Sequence, residues 1–288
     1  MYVNDGPNII YEDPHVLAVH KPAGLATQTS RVSEPDVVSL VERHLRDARA
    51  NAAKSGKKAS GTPHVSLINR LDQPVEGIVL MALDQKTAAA LSAQLRDGSM
   101  EKHYLAGVLL SGSADASALT AGPETGVIVT PGSCVRLSDH VFFDKRNNTS
   151  GIVSPDHPDA RPAELEYRIL EIMTPPGSCS PTPGEMTAPA SDASPGGSGA
   201  IRIALADVRL ITGRHHQIRV QMANAGMPLL GDRKYAPECV RKVNKLLNIS
   251  EICLCACGLT FTHPVSNDKM TLRVKPQGKW NKLFSFSY

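Results

Sequence analysis

The sequence predicts a mixed α/β region, and three observations carry that prediction. Residues 77–83 (GIVLMAL) form a continuous apolar run of buried-strand length. Asp84 follows, and it can cap a helix that places Thr87, Leu91 and Leu95 on one face, with Gly98 to end it. Residues 103–110 (HYLAGVLL) then read as a second strand, so strand, helix and strand succeed one another.

The other elements follow from the same signals. Residues 9–19 (IIYEDPHVLAV) predict two short strands joined at Asp13-Pro14, and HisLysProAlaGly at 20–24 breaks the pattern with a Pro-x-Gly turn. Asp36 can cap a helix whose apolar positions Val37, Val41 and Leu45 recur at helical spacing. The polar stretch from Ala48 to Pro63, with Lys54, Lys57 and Lys58, predicts a mobile loop. Residues 120–160 read as turns, short apolar stretches and several basic groups. Residues 174–200 hold six prolines and five glycines, a composition too poor in apolar surface to offset the entropy of ordering it. They predict a disordered insertion between strands near 164–173 and 201–211. Gly213 turns the second of these into a helix with Ile218, Met222 and Ala225 on one face, ended by Gly226. Residues 252–274 predict a hairpin closed around HisProValSerAsnAsp.

The chain has 288 residues, 41% apolar and 20% charged, which admits a real core and excludes wholesale disorder. A formal charge of +3 permits a nucleic-acid partner but does not argue for one, because binding needs a local patch. No apolar run approaches ~18 residues, so no membrane span is expected. The opening MYVNDGPNII lacks the basic and apolar regions of a secretory signal, and the expected compartment is the reducing cytoplasm. There Cys134, Cys179, Cys239, Cys253, Cys255 and Cys257 would be free thiols. The last three alternate along ICLCACGLTF, and in a strand they would form one row that cannot close a tetrahedron alone, so a packed strand is expected there.

Two segments can carry chemistry. Asn69-Arg70-Leu71-Asp72 precedes the buried strand, where turns can aim an Arg and an Asp at a cleft, although a surface ion pair would use the same residues. Gly213 to Arg219 lies at a strand-to-helix turn, and a helix start attracts anions. Arg214 and Arg219 are five apart, so they point different ways on a helix and should do different jobs. His215-His216 invites a metal reading, but sequence neighbours rarely ligate one ion and no third ligand is suitably spaced, so no metal is expected. Lys21, Arg70, Arg214, Arg219, Arg233 and Lys234 all fall in turn-like segments and would form a phosphate-binding surface if they converge.

HisLysProAlaGly at 20–24, ArgLeuAsp at 70–72 with Gly77, LysHisTyr at 102–104, GlyArg-x-HisGlnIleArgVal at 213–220, GlyAsp at 231–232 and ThrHisPro at 262–264 occur in that order. Together they resemble the RluA-type pseudouridine synthases, which act on ribosomal and transfer RNA. The resemblance implies an α+β fold, a bent, mixed, mainly antiparallel sheet with flanking helices and a central catalytic cleft. It implies one catalytic domain over residues 1–288, carrying the insertion at 174–200 and no N-terminal S4-like module, and acting as a monomer. It also implies the reaction: uracil is detached from C1′ of a uridine in RNA, rotated, and rejoined through C5, with no metal or organic cofactor.

By that resemblance Asp72 is the catalytic residue, since a carboxylate can attack or stabilise a sugar cation at C1′. Whether the route passes through a covalent adduct or a glycal stays open. Arg219 matches the arginine that pairs with this aspartate and keeps it ionised. Tyr104 matches the active-site tyrosine, placed to stack on the uracil and assist proton removal from C5. Arg70 matches the arginine that fills the gap left by the flipped nucleotide. Arg214 is expected on a phosphate, and Lys21 on RNA or in the turn itself. The chain departs from the family pattern at Asn69, where His is usual, and at Val75-Glu76-Gly77, where Thr-Ser-Gly is usual. Asn can still hold a turn; Glu76 is expected to repel RNA or to raise the Asp72 pKa. Those departures would suit a non-catalytic RNA-binding or RNA-folding protein on the same scaffold. A glycoside hydrolase using Asp72 with Glu76 would leave the arginine motifs unexplained.

Overall fold

The computed structural model describes residues 6–29, 31, 34–54, 64–110, 132–175 and 201–286. In chain order the first elements are β1 (Ile9–Glu12), β2 (Val16–Lys21), α1 (Val37–Lys54), β3 (Ser66–Leu67), β4 (Glu76–Ala82), α2 (Gln85–Asp97) and β5 (Glu101–Leu110). Then come β6 (Cys134–Asp144), β7 (Thr149–Ile152), β8 (Arg161–Met173), β9 (Arg202–Leu210), α3 (Gln217–Asn224), α4 (Glu238–Leu246), β10 (Leu254–Thr262) and β11 (Lys269–Arg273). The strand pairing is mixed and mostly antiparallel, with few helices, as the α+β expectation requires. Contacts divide the chain into two compact units, one ending at Tyr104 and resuming over Leu254–Asn281, the other formed by Leu105–Cys253 with the residues from Lys282.

In the first unit β2 pairs antiparallel with β1 and with β4, β11 pairs antiparallel with β10, and β3 adds to β4. The parallel exception is β4 against β10, which sets Cys255 opposite Glu76 and Ala256 opposite Gly77. Gly77 has φ +128°, and a Cβ there would stand 2.5 Å from the Ala256 main chain, so only glycine permits the approach. Alternate residues Val16, Ala18, Ile78, Leu80, Ala82, Leu259 and Phe261 share one sheet face and pack against Leu91 of α2. Both predicted caps are present. Asp36 Oδ1 accepts from the Ser39 amide at 2.7 Å, and Asp84 Oδ1 from the Thr87 amide at 2.8 Å. Gly98 ends α2 in the left-handed conformation.

In the second unit β8 pairs antiparallel with β9 and β6, and β7 with β6. α3 is buried from Gln217 through Met222, not along one face as expected. Its two glutamines tolerate burial because Gln217 donates to the Glu164 carbonyl and to Gln221 Oε1, while Gln221 donates to Asp139 and the Ala163 carbonyl.

Three expectations need correction or fall elsewhere. α1 runs to Lys54, so Ala48–Lys54 is helix where a loop was expected; Ala48, Ala50, Ala52 and Ala53 have high helix propensity, and the glycines come only afterwards. Residues 55–63 lie outside the described residues, as do 111–131 and 176–200, which hold most of the expected insertion. The turn-rich reading of 120–160 gives way to the β6–β7 hairpin, closed by Asp144 accepting from the Arg146 amide and by Asn148 at φ 51°. α4 was not anticipated; it buries Val240 and Val243. Among the described residues no helix is long and apolar enough to cross a membrane.

Candidate active site

In the first unit the motif loops around Lys21 and Asp72 are sewn together through main-chain atoms. Thr27 Oγ1 donates to the Leu71 carbonyl at 2.8 Å and accepts from the Leu71 amide. The Gly24 amide donates to the Gln73 carbonyl at 2.8 Å, and Gln73 Nε2 donates back to the Gly24 carbonyl at 3.0 Å. Lys21 is fully buried beneath both loops, and its ammonium donates to the Pro22, Leu25 and Gln73 carbonyls. Burial pushes the Lys21 pKa down to about 7, against the upward pull of the Asp72 and Glu76 charges.

Asn69 ties the loop to the sheet. Its Nδ2 donates to the Ile78 carbonyl at 3.0 Å and its Oδ1 accepts from the Leu80 amide at 2.7 Å, so it holds the turn as the sequence suggested. Arg70 is exposed and Asp72 half-buried, two residues apart on a turn closed by the Val75 amide on the Asp72 carbonyl. Tyr104 is buried on β5; burial, then the Asp72 charge, raises its pKa far above the ordinary phenol value. Asp72 and Tyr104 therefore share one electrostatic environment.

In the second unit Arg219 and Asp232 form a fully buried fork. Nε donates to Oδ2 and Nη2 to Oδ1, both at 2.8 Å. Burial alone would raise the Asp232 pKa, but the Arg219 guanidinium and the Lys234 and Tyr235 amides outweigh it and hold the carboxyl below its ordinary value. The guanidinium lies 5.1 Å from the Tyr235 ring centroid, and the Tyr235 hydroxyl bridges His216 Nδ1 and the Ser150 amide. Gly231 makes this turn possible: it has φ +73°, and a Cβ would collide with the Glu251 carbonyl. Arg214 is exposed, with Nε anchored on the Pro162 carbonyl at 2.9 Å. The His215 and His216 rings stack at 3.7 Å, and their Nδ1 atoms meet Ser150 Oγ and the Tyr235 hydroxyl, which makes them a packing element.

The family of RNA pseudouridylate synthases, compared as a whole, matches residues 15–224. The chain belongs to this family. It is an RluA-type synthase, an isomerase: it is 28% identical over 267 residues to the dual-specificity RNA pseudouridine synthase RluA of Salmonella typhimurium, covering 92% of this chain and 91% of that protein. It is 25% identical to the tRNA pseudouridine synthase C of Pectobacterium carotovorum, over 94% of this chain and 60% of that protein. The fold of human RNA pseudouridylate synthase domain containing 1 is similar at TM-score 0.61 and 15% identity, over 94% of this chain and 84% of that one.

Within the synthase, one sequence reading changes and another gains support for one of its alternatives. Glu76 does not face RNA: its carboxylate is buried and accepts from the Gln277 amide at 2.9 Å and from Trp280 Nε1 at 3.2 Å. Lys21 donates to three carbonyls, the arrangement of the turn-building alternative of the two that the sequence left open. Asp232, of the GlyAsp motif at 231–232, takes its role from the fork with Arg219, which no spacing in the sequence reveals. Asn69 and Thr27 are supports that only the folded loops reveal.

Proposed function

We propose that this synthase isomerises uridines in stem-loops of ribosomal or transfer RNA, with Asp72 as its catalytic carboxylate. The observation that supports this reading best is the Asp72 loop. It is pinned by main-chain bonds to the Lys21–Thr27 loop and by Asn69 to β4, so the carboxylate is half-exposed on a rigid base. Tyr104, coupled to the Asp72 charge, is the residue that stacks on the uracil and helps move the C5 proton. Arg219 completes the catalytic set, and its pairing with Asp72 belongs to the proposal. Asp232 takes two of the five N–H donors of Arg219 and fixes the guanidinium plane.

Arg70, exposed beside Asp72, replaces the flipped nucleotide in its stack, and Arg214 holds a phosphate. A recess in the second unit lined by Arg233, Arg241 and Lys245 supports an RNA backbone as the partner. The target class follows the relatives, one a dual-specificity RNA synthase and one a tRNA synthase. Pseudouridine mapping of total RNA from cells with the gene, without it, and complemented by Asp72→Asn tests the reading. Sites lost on deletion and restored only by the wild type support it. No lost site would favour the RNA-folding alternative.

A further inference from the structure

Three neighbouring strands of the first unit place a row of metal-ligating side chains on one sheet face. β2 contributes His20, β4 Glu76 and β10 Cys255. Their ligand atoms all lie within 4.8 Å of one another, and the residues are 4%, 2% and 0% exposed. His20 follows Val16 and Ala18, Glu76 precedes Ile78 and Leu80, and Cys255 precedes Leu259 and Phe261, each in steps of two. The row therefore ends the same face that is apolar elsewhere.

His20 Nε2 is buried without a hydrogen-bond partner. It stands 3.7 Å from Glu76 Oε2, too far for a hydrogen bond. A simple His–Glu pair would close that gap, because the buried imidazole nitrogen needs a partner. Nitrogen and oxygen ligands on one tetrahedral zinc, at bond lengths of about 2.0–2.2 Å, stand about 3.3–3.6 Å apart, close to the 3.7 Å between His20 Nε2 and Glu76 Oε2. The Trp280 indole donates to Oε1 of that carboxylate, and the Gln277 amide to Oε2, the oxygen nearest His20, so both oxygens are oriented as outer partners orient metal ligands. His20 and Gln277 also line a pocket of the first unit, next to the row.

We propose that His20, Glu76 and Cys255 form a binding site for a zinc-like divalent cation, distinct from the pseudouridine chemistry. Bound there, the ion would tie β2, β4, β10 and the turn after residue 275 to one point. A water would take its fourth position.

The probe is Co²⁺ added to the purified, metal-stripped full-length protein. The expected result is one ion per chain with a thiolate-to-cobalt charge-transfer band in the near ultraviolet, displaced by Zn²⁺. Melting temperature should be higher with Zn²⁺ than with chelator. Cys255→Ser should abolish the band and His20→Ala should weaken binding at least ten-fold, whereas Cys239→Ser, at an exposed cysteine, should leave both unchanged. Each variant is compared with wild type in chelator by circular dichroism, so loss of the band with retained fold is read as loss of a ligand. If a substitution unfolds the chain, Glu76→Gln and His20→Gln serve as its milder replacements. Absence of stoichiometric binding to the wild type, or a band that survives in folded Cys255→Ser protein, would overturn the proposal.

Discussion

Asp72 and Asp232 are both carboxylates in tight turns, and the chain treats them in opposite ways. Asp232 is 2% exposed, forked to Arg219, and accepts two main-chain amides besides. Asp72 is half-buried, in a loop held through the main chain of residues 69–75. A buried carboxylate forked to an arginine and bonded to two amides besides has little capacity left for a substrate. One on a rigid loop with part of its surface in solvent can meet a sugar. The difference separates a residue that builds the site from one that can react.

The comparison breaks most plainly at Asp72→Asn. The change keeps volume and removes the charge, so pseudouridine formation should fall by about 10³-fold or more while the melting temperature moves little. Measurement of turnover on bulk RNA beside a thermal melt checks both halves. Retained turnover would move the chemistry elsewhere.

Asp232→Ala should do the reverse in kind, because it leaves a buried guanidinium without its counter-charge. A loss of about 3–5 kcal/mol is expected, read as a lower urea midpoint. The pH dependence has a definite sign. The folded Asp232 pKa lies below the ordinary 3.8, so its stabilisation is complete above about pH 4 and disappears as pH falls through the folded value. The gap between wild type and Asp232→Ala should therefore be constant near neutrality and narrow in acid. A gap that persisted at low pH would mean that packing, not charge, holds the turn.

Lys21→Met sharpens the other side of the comparison. It leaves the Pro22, Leu25 and Gln73 carbonyls without their shared donor, and about 1–3 kcal/mol should be lost. Because Gln73 adjoins Asp72, the fall in kcat should exceed the change in KM. An effect on KM alone would return Lys21 to the RNA-contact role.

What the sequence made legible follows from how local the cause is. Asp36 and Asp84 cap helices through residues three positions on, and the hairpin around His263 closes on itself, so each was readable from a short window. The motif order carried the family and reaction. The destiny of Glu76 was not readable, since it depends on Gln277 and Trp280 at the other end of the chain. The same holds for Lys21: a buried turn lysine and an RNA-facing one look alike until the carbonyls of residue 73 are brought over it. The row of His20, Glu76 and Cys255 needed strand register, because Cys255 alone reads only as part of a packed strand. α4 was legible by the same local logic, with Pro237 before it, Glu238 in its first turn, Lys245 in its last and Val240 and Val243 three apart on one face, although the sequence reading passed over it.

The smallest expected effect tests where the exposed arginines work. Arg214 sits in the turn three residues before α3, exposed and with Nε tied to the Pro162 carbonyl. That anchoring orients the guanidinium without neutralising it. If it holds one phosphate, Arg214→Ala should raise the RNA dissociation constant several-fold, equally for sequences of the same shape, and leave turnover at saturation unchanged. The slope of log affinity against log salt should become shallower by about 0.7–0.9, the value for one phosphate contact. Binding measured at four or five salt concentrations separates this from a packing effect, which would lower affinity by the same factor at every salt. The charge contact and the packing contact thus predict different slopes from the same substitution.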